Sequence, residues 1–213
     1  MASHDLRTPL AIIQGYGGLL EDGLPADADP LMRESAATIM AYAKSFQYLI
    51  DNLLTLEQSE RGELRLSPAR RDLNELAGAA LAEIDGLLAI KGLTVERRLP
   101  PSAVWAEVDE KHIIRALYAV LAQAEKAARP GGALRIEVAD EGESARVSLS
   151  DPARPTPQEE LDKLFRLERH ADVGLIAARA IIEAHGGRLT AHGAPGEGVT
   201  FTLYLPRVDE SAI

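Results

Sequence analysis

The stretch "HDLRTPLAIIQGYGGLL", residues 4–20, contains the repeat from which the fold is inferred. Apolar or small residues recur alternately every four and three positions, and a helix of 3.6 residues per turn places them in one stripe. The stripe consists of Leu6, Leu10, Ile13, Gly17 and Leu20. We therefore predict a first helix over residues 4–23, ended by Gly23 and Pro25.

A second, longer helix is predicted over residues 30–61, with Asp29 as its N-cap and Pro30 as its first residue. Its apolar positions also alternate by four and three, which is typical of the seam of a left-handed bundle. They are Met32, Ala36, Ile39, Ala43, Phe46, Ile50 and Leu53. Because two helices cannot enclose such a seam, we expect a dimeric four-helix bundle. Packing of the hairpin on the rest of the same chain is the alternative.

The remainder of the chain alternates strand-like and helical segments after a boundary at Gly62 and Pro68. Helices are predicted over 73–92, 109–132, 156–170 and 173–187, and strands over 93–99, 104–108, 133–140, 144–151, 188–194 and 198–206. Such a mixture predicts helices layered on one face of a mixed sheet. The predicted fold is therefore α + α/β, with a helical hairpin (1–64) followed by an α/β sandwich (65–213).

Composition and net charge exclude some classes of function before any motif is considered. The 213 residues are 46% hydrophobic and 26% charged, as in soluble globular proteins. The net charge of −10 argues against nucleic-acid binding, which usually needs a basic face. No cysteine is present, and no run is apolar enough to span a membrane. We expect a cytoplasmic chain without membrane contact of its own, whose parent protein could be membrane-attached.

His4 points away from the apolar stripe, on the same helical face as Thr8. Pro9 cannot donate to the carbonyl of Asp5, which predicts a bend beside His4 and a Thr8 pushed from helical geometry. A neutral imidazole is a good phosphoryl acceptor near pH 7. An acid such as Asp5 that takes one ring N–H frees the other nitrogen to attack. A hydroxyl at Thr8 could position a water that removes the phosphoryl group.

The segment "HDLRTPL", residues 4–10, resembles the H-box of sensor histidine kinases, H-(E/D)-x-x-(T/N)-P-(L/M). The resemblance implies that His4 is phosphorylated, that Asp5 assists phosphorylation and transfer, and that Thr8 takes part in the phosphatase reaction. It also implies a homodimer and, as partner, a response-regulator receiver domain that contributes Mg²⁺ at its own site.

Residues 65–207 resemble the ATP-binding α/β sandwich of the same family, which it shares with DNA gyrase and a heat-shock chaperone. The N-box, N-L-x-x-N-A-x-K in the family, is "AVLAQAEK" here. Ala119 and Gln123 stand at the two asparagine positions, and Lys126 matches the lysine. Gln123 can offer an amide oxygen to Mg²⁺, but it is a methylene longer than asparagine.

Two further nucleotide motifs depart from the family pattern. The adenine turn, "DPARPTP", keeps Asp151 but has Ala153 and Pro155 where the family has glycines. In "DVGL", Gly174 is retained and Asp172 replaces the first glycine, at a helix N-terminus that otherwise favours phosphate. The loop from Phe165 to Gly174 is also too short for the flexible ATP lid of the family. We therefore expect binding of ATP and Mg²⁺ to be weak or absent, with Gln123, Lys126, Asp151 and Gly174 as relics.

The sequence thus predicts a phosphotransferase in which His4 exchanges a phosphoryl group with an aspartate of a response regulator. One alternative is an active sensor kinase fragment that phosphorylates His4 from ATP, and another is a pseudokinase scaffold that only binds a regulator. The other histidines have no metal-ligand spacing and are interpreted as structural. They are His112, His170, His185 and His192.

Overall fold

A computed structural model of the chain describes residues 2–25, 27–153, 156–166, 172–194 and 198–208, and of residues 2–5 and 194 it describes the backbone alone. Helix α1 is Ala2–Gly23 and helix α2 is Pro30–Glu60. The predicted cap is confirmed, because the N–H of Leu31 donates to Asp29 Oδ1 over 2.8 Å. Among the described residues, no helix combines the length and apolar character that crossing a membrane requires.

Helix α1 runs through Pro9 without interruption. The prediction that Thr8 leaves helical geometry is wrong, since residue 8 lies within the helix. Proline there removes one hydrogen bond, but tertiary packing outweighs that local loss. Leu10, directly after Pro9, is 2% exposed and packs with Ala43 and Ile50 of α2.

The predicted seam divides into two halves. One half closes the hairpin and is buried: Leu10, Gly17, Ala36, Ala43 and Ile50. The other half stays exposed on the single chain: Leu6, Ile13, Leu20, Met32, Ile39, Phe46 and Leu53. The hairpin therefore presents a long apolar face that its own two helices do not cover.

The α/β domain contains a mixed sheet of strands β2 (Thr94–Arg98), β4 (Ala133–Asp140), β5 (Ser144–Asp151), β6 (Arg188–Ala194) and β7 (Gly198–Pro206). Their order is β2-β4-β5-β7-β6, with β2 and β4 parallel and the other described pairs antiparallel. Strands β1 (Ala69–Asp72) and β3 (Trp105–Val108) form a separate antiparallel pair.

Four helices complete the domain: α3 (Leu73–Ile90), α4 (Glu110–Ala127), α5 (Gln158–Leu164) and α6 (Val173–Ala184). Helices α3, α4 and α6 pack on the sheet, whose strand β4 alternates between buried and less buried positions. This arrangement confirms the predicted sandwich. The helix predicted over 156–170 is shorter than expected, because α5 ends at Leu164; residues 167–171 lie outside the described part of the chain.

Helix α2 also packs against the α/β domain of its own chain. Ala41 belongs to the main core cluster and lies 3.1 Å from where a Cβ on Gly86 of α3 would be. Lys44 forms an ion pair with Glu83 at 2.8 Å. Contacts with α6 extend the interface. Part of the hairpin surface is therefore covered by the α/β domain of the same chain. The exposed half of the apolar seam described above is not covered in this way.

Candidate functional site

His4 and Asp5 lie in the first turn of α1, but their side chains are outside the described part of the structure. Their predicted roles therefore stay predictions. Within the same motif, Arg7 forms an ion pair with Asp51 of α2 at 2.7 Å. Thr8 is exposed. The Arg7–Asp51 pair places the H-box alongside the later turns of α2.

Helix α4 reaches the same turns of α2 through Arg115. Its guanidinium donates to the backbone carbonyl of Asp51 and to Thr55 Oγ1. Burial lowers the pKa of Arg115 from its ordinary value, while the nearby Asp51 carboxylate opposes the shift. Asp51 also accepts from Gln47 Nε2 over 3.1 Å. A continuous set of polar contacts thus joins the H-box turn, α2 and the helix that contains the N-box.

A cleft of about 680 Å³ lies between α2 and α4. Three of the predicted nucleotide positions line it, namely Gln123, Lys126 and Gly174. Helix α2 contributes Tyr48, whose ring stacks on Tyr118 of α4 with centroids 3.6 Å apart and planes 9° from parallel. The volume lies within the range of sites for small organic ligands.

The fourth predicted position, Asp151, lines a smaller cavity of about 80 Å³ that also lies beside α4. Asp151 is 7% exposed, and its Oδ1 accepts from the N–H of Ala153 over 3.0 Å. Thr156 and Phe201 also line this cavity, and Gln123 lines both spaces. The fold therefore gathers the four predicted residues around one helix. Pro155, also singled out by the sequence, lies outside the described residues.

The N-terminus of α6 is occupied by its own cap. Asp172 Oδ1 accepts from the N–H of Leu175 over 2.9 Å, so this carboxylate already satisfies the end of the helix that attracts anions. A Cβ on Gly174 would lie 3.0 Å from Asp172 Oδ1, 3.3 Å from Ala119 Cβ and 3.4 Å from Asn52 Nδ2. Gly174 is therefore retained where three elements meet closely.

Whether these residues fit Mg²⁺ and a nucleotide can be judged from two buried amide oxygens. Gln123 Oε1 and Asn52 Oδ1 are buried and have no hydrogen-bond partner among the described residues. Leaving such an atom unpaired costs about 1–3 kcal/mol. Mg²⁺ prefers oxygen ligands and usually takes one or two from the protein and the rest from phosphates and water. The residues therefore fit the group: Gln123 would offer an amide oxygen to Mg²⁺, and Asp151 lines the smaller cavity.

The sequence did not single out Asn52, Tyr48 or Arg115 as parts of this site. The only indication was a polar "DN" pair, residues 51–52, inside the apolar run "YLIDNLLTL". Helical periodicity alone places those residues on α2, but it does not show that α2 docks on α4.

A second polar cluster lies in the α/β domain, close to where the chain enters it from the hairpin. Asp109 caps α4, accepting from the N–H of His112 over 3.1 Å and from the N–H of Ser67 over 2.9 Å. Its own N–H donates to His185 Nε2 over 2.9 Å, and the Nδ1–H of His185 donates to the carbonyl of Ile181 over 2.8 Å. Among the described residues, no group of three or more His, Asp or Glu side chains is placed to hold a metal ion.

The neutral form of His185 predicts a decrease in stability at mildly acidic pH. Burial lowers the pKa of His185 from its ordinary 6.5, although the bond to Ile181 opposes the shift. The unfolded chain therefore binds a proton at this position before the folded chain does, and the free energy of unfolding falls as pH drops below about 6.5. Between pH 7.5 and pH 5.5, the free energy of unfolding measured in urea should decrease less for His185→Gln than for the original chain. His192→Gln, in strand β6, is the matched control. An equal decrease in the free energy of unfolding for all three proteins would show that His185 is not the cause.

Comparisons with known proteins agree with this architecture. Residues 1–62 match the model of the His Kinase A (phospho-acceptor) domain, and residues 108–209 match that of the histidine kinase-, DNA gyrase B- and HSP90-like ATPase. Sensor histidine kinase MtrB of Mycobacterium tuberculosis is 32% identical over 97% of this chain and 38% of its own. The histidine-protein kinase BaeS of Escherichia coli is 29% identical over 96% and 45%.

Solved structures show the same fold. Histidine kinase AdeS of Acinetobacter baumannii has a TM-score of 0.65 at 24% identity, covering 97% of this chain and 98% of its own. Full-length ShkA in complex with AMPPNP has a TM-score of 0.70 at 20% identity, covering 99% and 46%. The chain spans about two fifths of the length of the curated relatives described above. With both domain models matched in order and the fold shared, the chain is a histidine kinase transmitter module and is homologous to the sensor histidine kinases.

Proposed function

We propose that this module carries a phosphoryl group on His4 and exchanges it with an aspartate of a response-regulator receiver domain. The observation that supports the proposal most strongly is the complete H-box, residues 4–10, at the start of α1 on a two-helix hairpin. A scaffold that only binds a regulator would not need His4, Asp5 and Thr8 together.

In the proposed reaction, one ring nitrogen of His4 attacks the phosphorus of the receiver's aspartyl phosphate. A P–N bond forms, the P–O bond to the aspartate breaks, and the aspartate leaves as a carboxylate. Asp5 accepts the N–H of the other ring nitrogen, so that the attacking nitrogen carries a lone pair and the imidazolium formed is stabilised. Such in-line transfer depends mainly on positioning and charge neutralisation, for which the receiver supplies Mg²⁺ at its own site.

The proposed working form is a homodimer. Seven exposed apolar residues of the seam continue along both helices, and a second copy of the hairpin would cover them in a four-helix bundle. An apolar face of this length is unusual on a monomer. The proposed location of the transmitter module is the cytoplasm, where response regulators are found.

We further propose that the nucleotide site binds ATP weakly. Helix α4 offers a methyl group at Ala119 where the family has an asparagine, and the carboxylate of Asp172 caps α6. A second candidate function, phosphorylation of His4 from ATP, is favoured by two features. Asp151 and Thr156 still line a cavity beside α4, and Gln123 Oε1 has no hydrogen-bond partner within the described part of the chain.

Transfer of labelled phosphate separates these functions. The chain is mixed with a receiver domain that carries a ³²P-labelled aspartyl phosphate, and label is expected on the chain in an acid-labile, base-stable linkage typical of phosphohistidine. If no receiver phosphorylates the chain while γ-³²P-ATP with Mg²⁺ does so, the second function replaces the first. If neither donor gives label, the chain acts as a scaffold.

A further inference from the structure

Asn52 of α2 lines the cleft beside the N-box helix α4. The residue is 4% exposed, although it comes from the hairpin and not from the α/β domain. Its Nδ2 lies 3.4 Å from the point where a Cβ on Gly174 would be, and Ala119 Cβ lies 3.3 Å from the same point. Asn52 and Ala119 therefore approach the same point beside Gly174, and Ala119 is the position where the N-box of the family has an asparagine.

The docking of α2 that brings Asn52 there is built from specific contacts. Arg115 of α4 donates to the carbonyl of Asp51 and to Thr55, one residue before and three after Asn52. Tyr48, one turn earlier, stacks on Tyr118 of α4. These contacts fix the rotation of α2 and keep Asn52 directed towards α4 and α6.

In the docked arrangement, two buried side-chain oxygens are available to bind a cation. Asn52 Oδ1 and Gln123 Oε1, from two different domains, are both buried without a hydrogen-bond partner among the described residues. Both residues line the 680 Å³ cleft, as does Asp172 with its carboxylate. Two amide oxygens and a carboxylate form an oxygen-only donor set, which suits Mg²⁺. The cleft is large enough for the cation together with nucleotide phosphates.

We propose that Asn52 of α2 supplies to a magnesium–adenine nucleotide the carboxamide oxygen that α4 lacks at Ala119. The nucleotide site is then shared between the hairpin and the α/β domain. Binding is tighter while α2 is docked than when it is released, and bound nucleotide in turn stabilises the docked arrangement. Since Arg7 ties the H-box turn to Asp51, nucleotide occupancy also acts on the end of the hairpin that contains His4.

Calorimetric titration of the whole chain with ADP, in Mg²⁺ and in EDTA, tests this proposal. Asn52→Ala is expected to weaken Mg·ADP binding about tenfold, because one protein oxygen ligand is lost, and to change binding in EDTA little. The double variant Asn52→Ala, Ala119→Asn moves the carboxamide back to α4 and should recover most of the affinity. Glu57→Ala, exposed on the same helix, is the matched control and should bind as the original chain does.

Three outcomes would overturn the proposal. They are absence of Mg²⁺-dependent ADP binding by the original chain, unchanged or tighter binding by Asn52→Ala, and failure of Ala119→Asn to restore affinity. Asn52→Leu, which keeps the branching at Cγ although its side chain is larger, serves if the alanine variant unfolds, and it should show the same Mg²⁺-dependent loss. Labelling of His4 by a phosphorylated receiver requires no nucleotide. A negative result in the ADP titration therefore leaves the proposed phosphotransfer function untouched, and a negative result in the labelling experiment leaves the proposed role of Asn52 untouched.

Discussion

Replacing His4 by alanine is expected to abolish transfer of label from a phosphorylated receiver domain to the chain. The imidazole is the proposed acceptor, and a methyl group has no lone pair with which to attack phosphorus. The fold should be unaffected, because residue 4 lies in the first turn of α1, before the buried packing of the hairpin begins at Leu10. Electrophoresis of the ³²P-labelled chain after incubation measures the loss, which should exceed a hundredfold.

Two neighbouring substitutions serve as controls for this result. Asp5→Asn should slow label transfer about tenfold or more, because the amide stabilises the imidazolium less well than the carboxylate does. Thr8→Ala should still accept label, but the phosphoryl group should persist longer on the complex. Label that appears equally on His4→Ala would show that another residue is the acceptor.

Replacing Asp109 by asparagine is expected to lower the free energy of unfolding at neutral pH by about 2 kcal/mol. Asparagine is also a good N-cap, so the substitution removes mainly the charge. Burial by itself raises the pKa of Asp109, but hydrogen bonds from Ser67 and His112 outweigh it and lower the pKa to about 2. The loss measures how strongly the folded chain prefers the ionised carboxylate.

The pH dependence fixes the sign of this prediction. The folded pKa lies below the unfolded value of 3.8, so the contribution is fully present above about pH 4 and is lost as pH falls towards 2. Urea unfolding at pH 7 and pH 3 should show a large difference between Asp109→Asn and the original chain at pH 7 and a smaller one at pH 3. Asp85→Asn, on the exposed side of α3, is the control and should change stability by less than about 0.5 kcal/mol. An equal loss at both pH values would mean that the charge is not the cause.

The helices could be predicted because their signals are local. Asp29 and Pro30 fix the start of α2, and the spacing of apolar residues by four and three fixes its inward face. Strand β1 was missed, since four residues with two arginines resemble a surface loop. Its pairing with β3 depends on contacts such as Arg70 over the ring of Trp105, at 4.3 Å, which involve residues far apart in the sequence.

The candidate site shows the same limit. Motif matching indicated Gln123, Lys126, Asp151 and Gly174, which the fold arranges around α4. Motif matching interpreted Asp172 only as the residue that replaces a glycine of the family, whereas the structure also shows that it caps α6. Asn52 and Arg115 could not be found in this way, because their importance comes from the docking of one domain on another. Tertiary contacts of that kind leave no periodic pattern in either segment.

The hydrogen bond between Ser67 and Asp109 limits how far the two domains can separate. Helix α2 ends at Glu60, and the chain is fastened to the α/β domain again at Ser67, so the free tether between them is only a few residues long. At about 3.3 Å per extended residue, its reach is roughly 20 Å. The α/β domain can therefore rotate about this anchor, but it cannot move farther from the end of α2 than the tether reaches. A nucleotide held in the cleft would meet only those phosphoryl acceptors that lie within that radius, whether on its own hairpin or on that of a second copy.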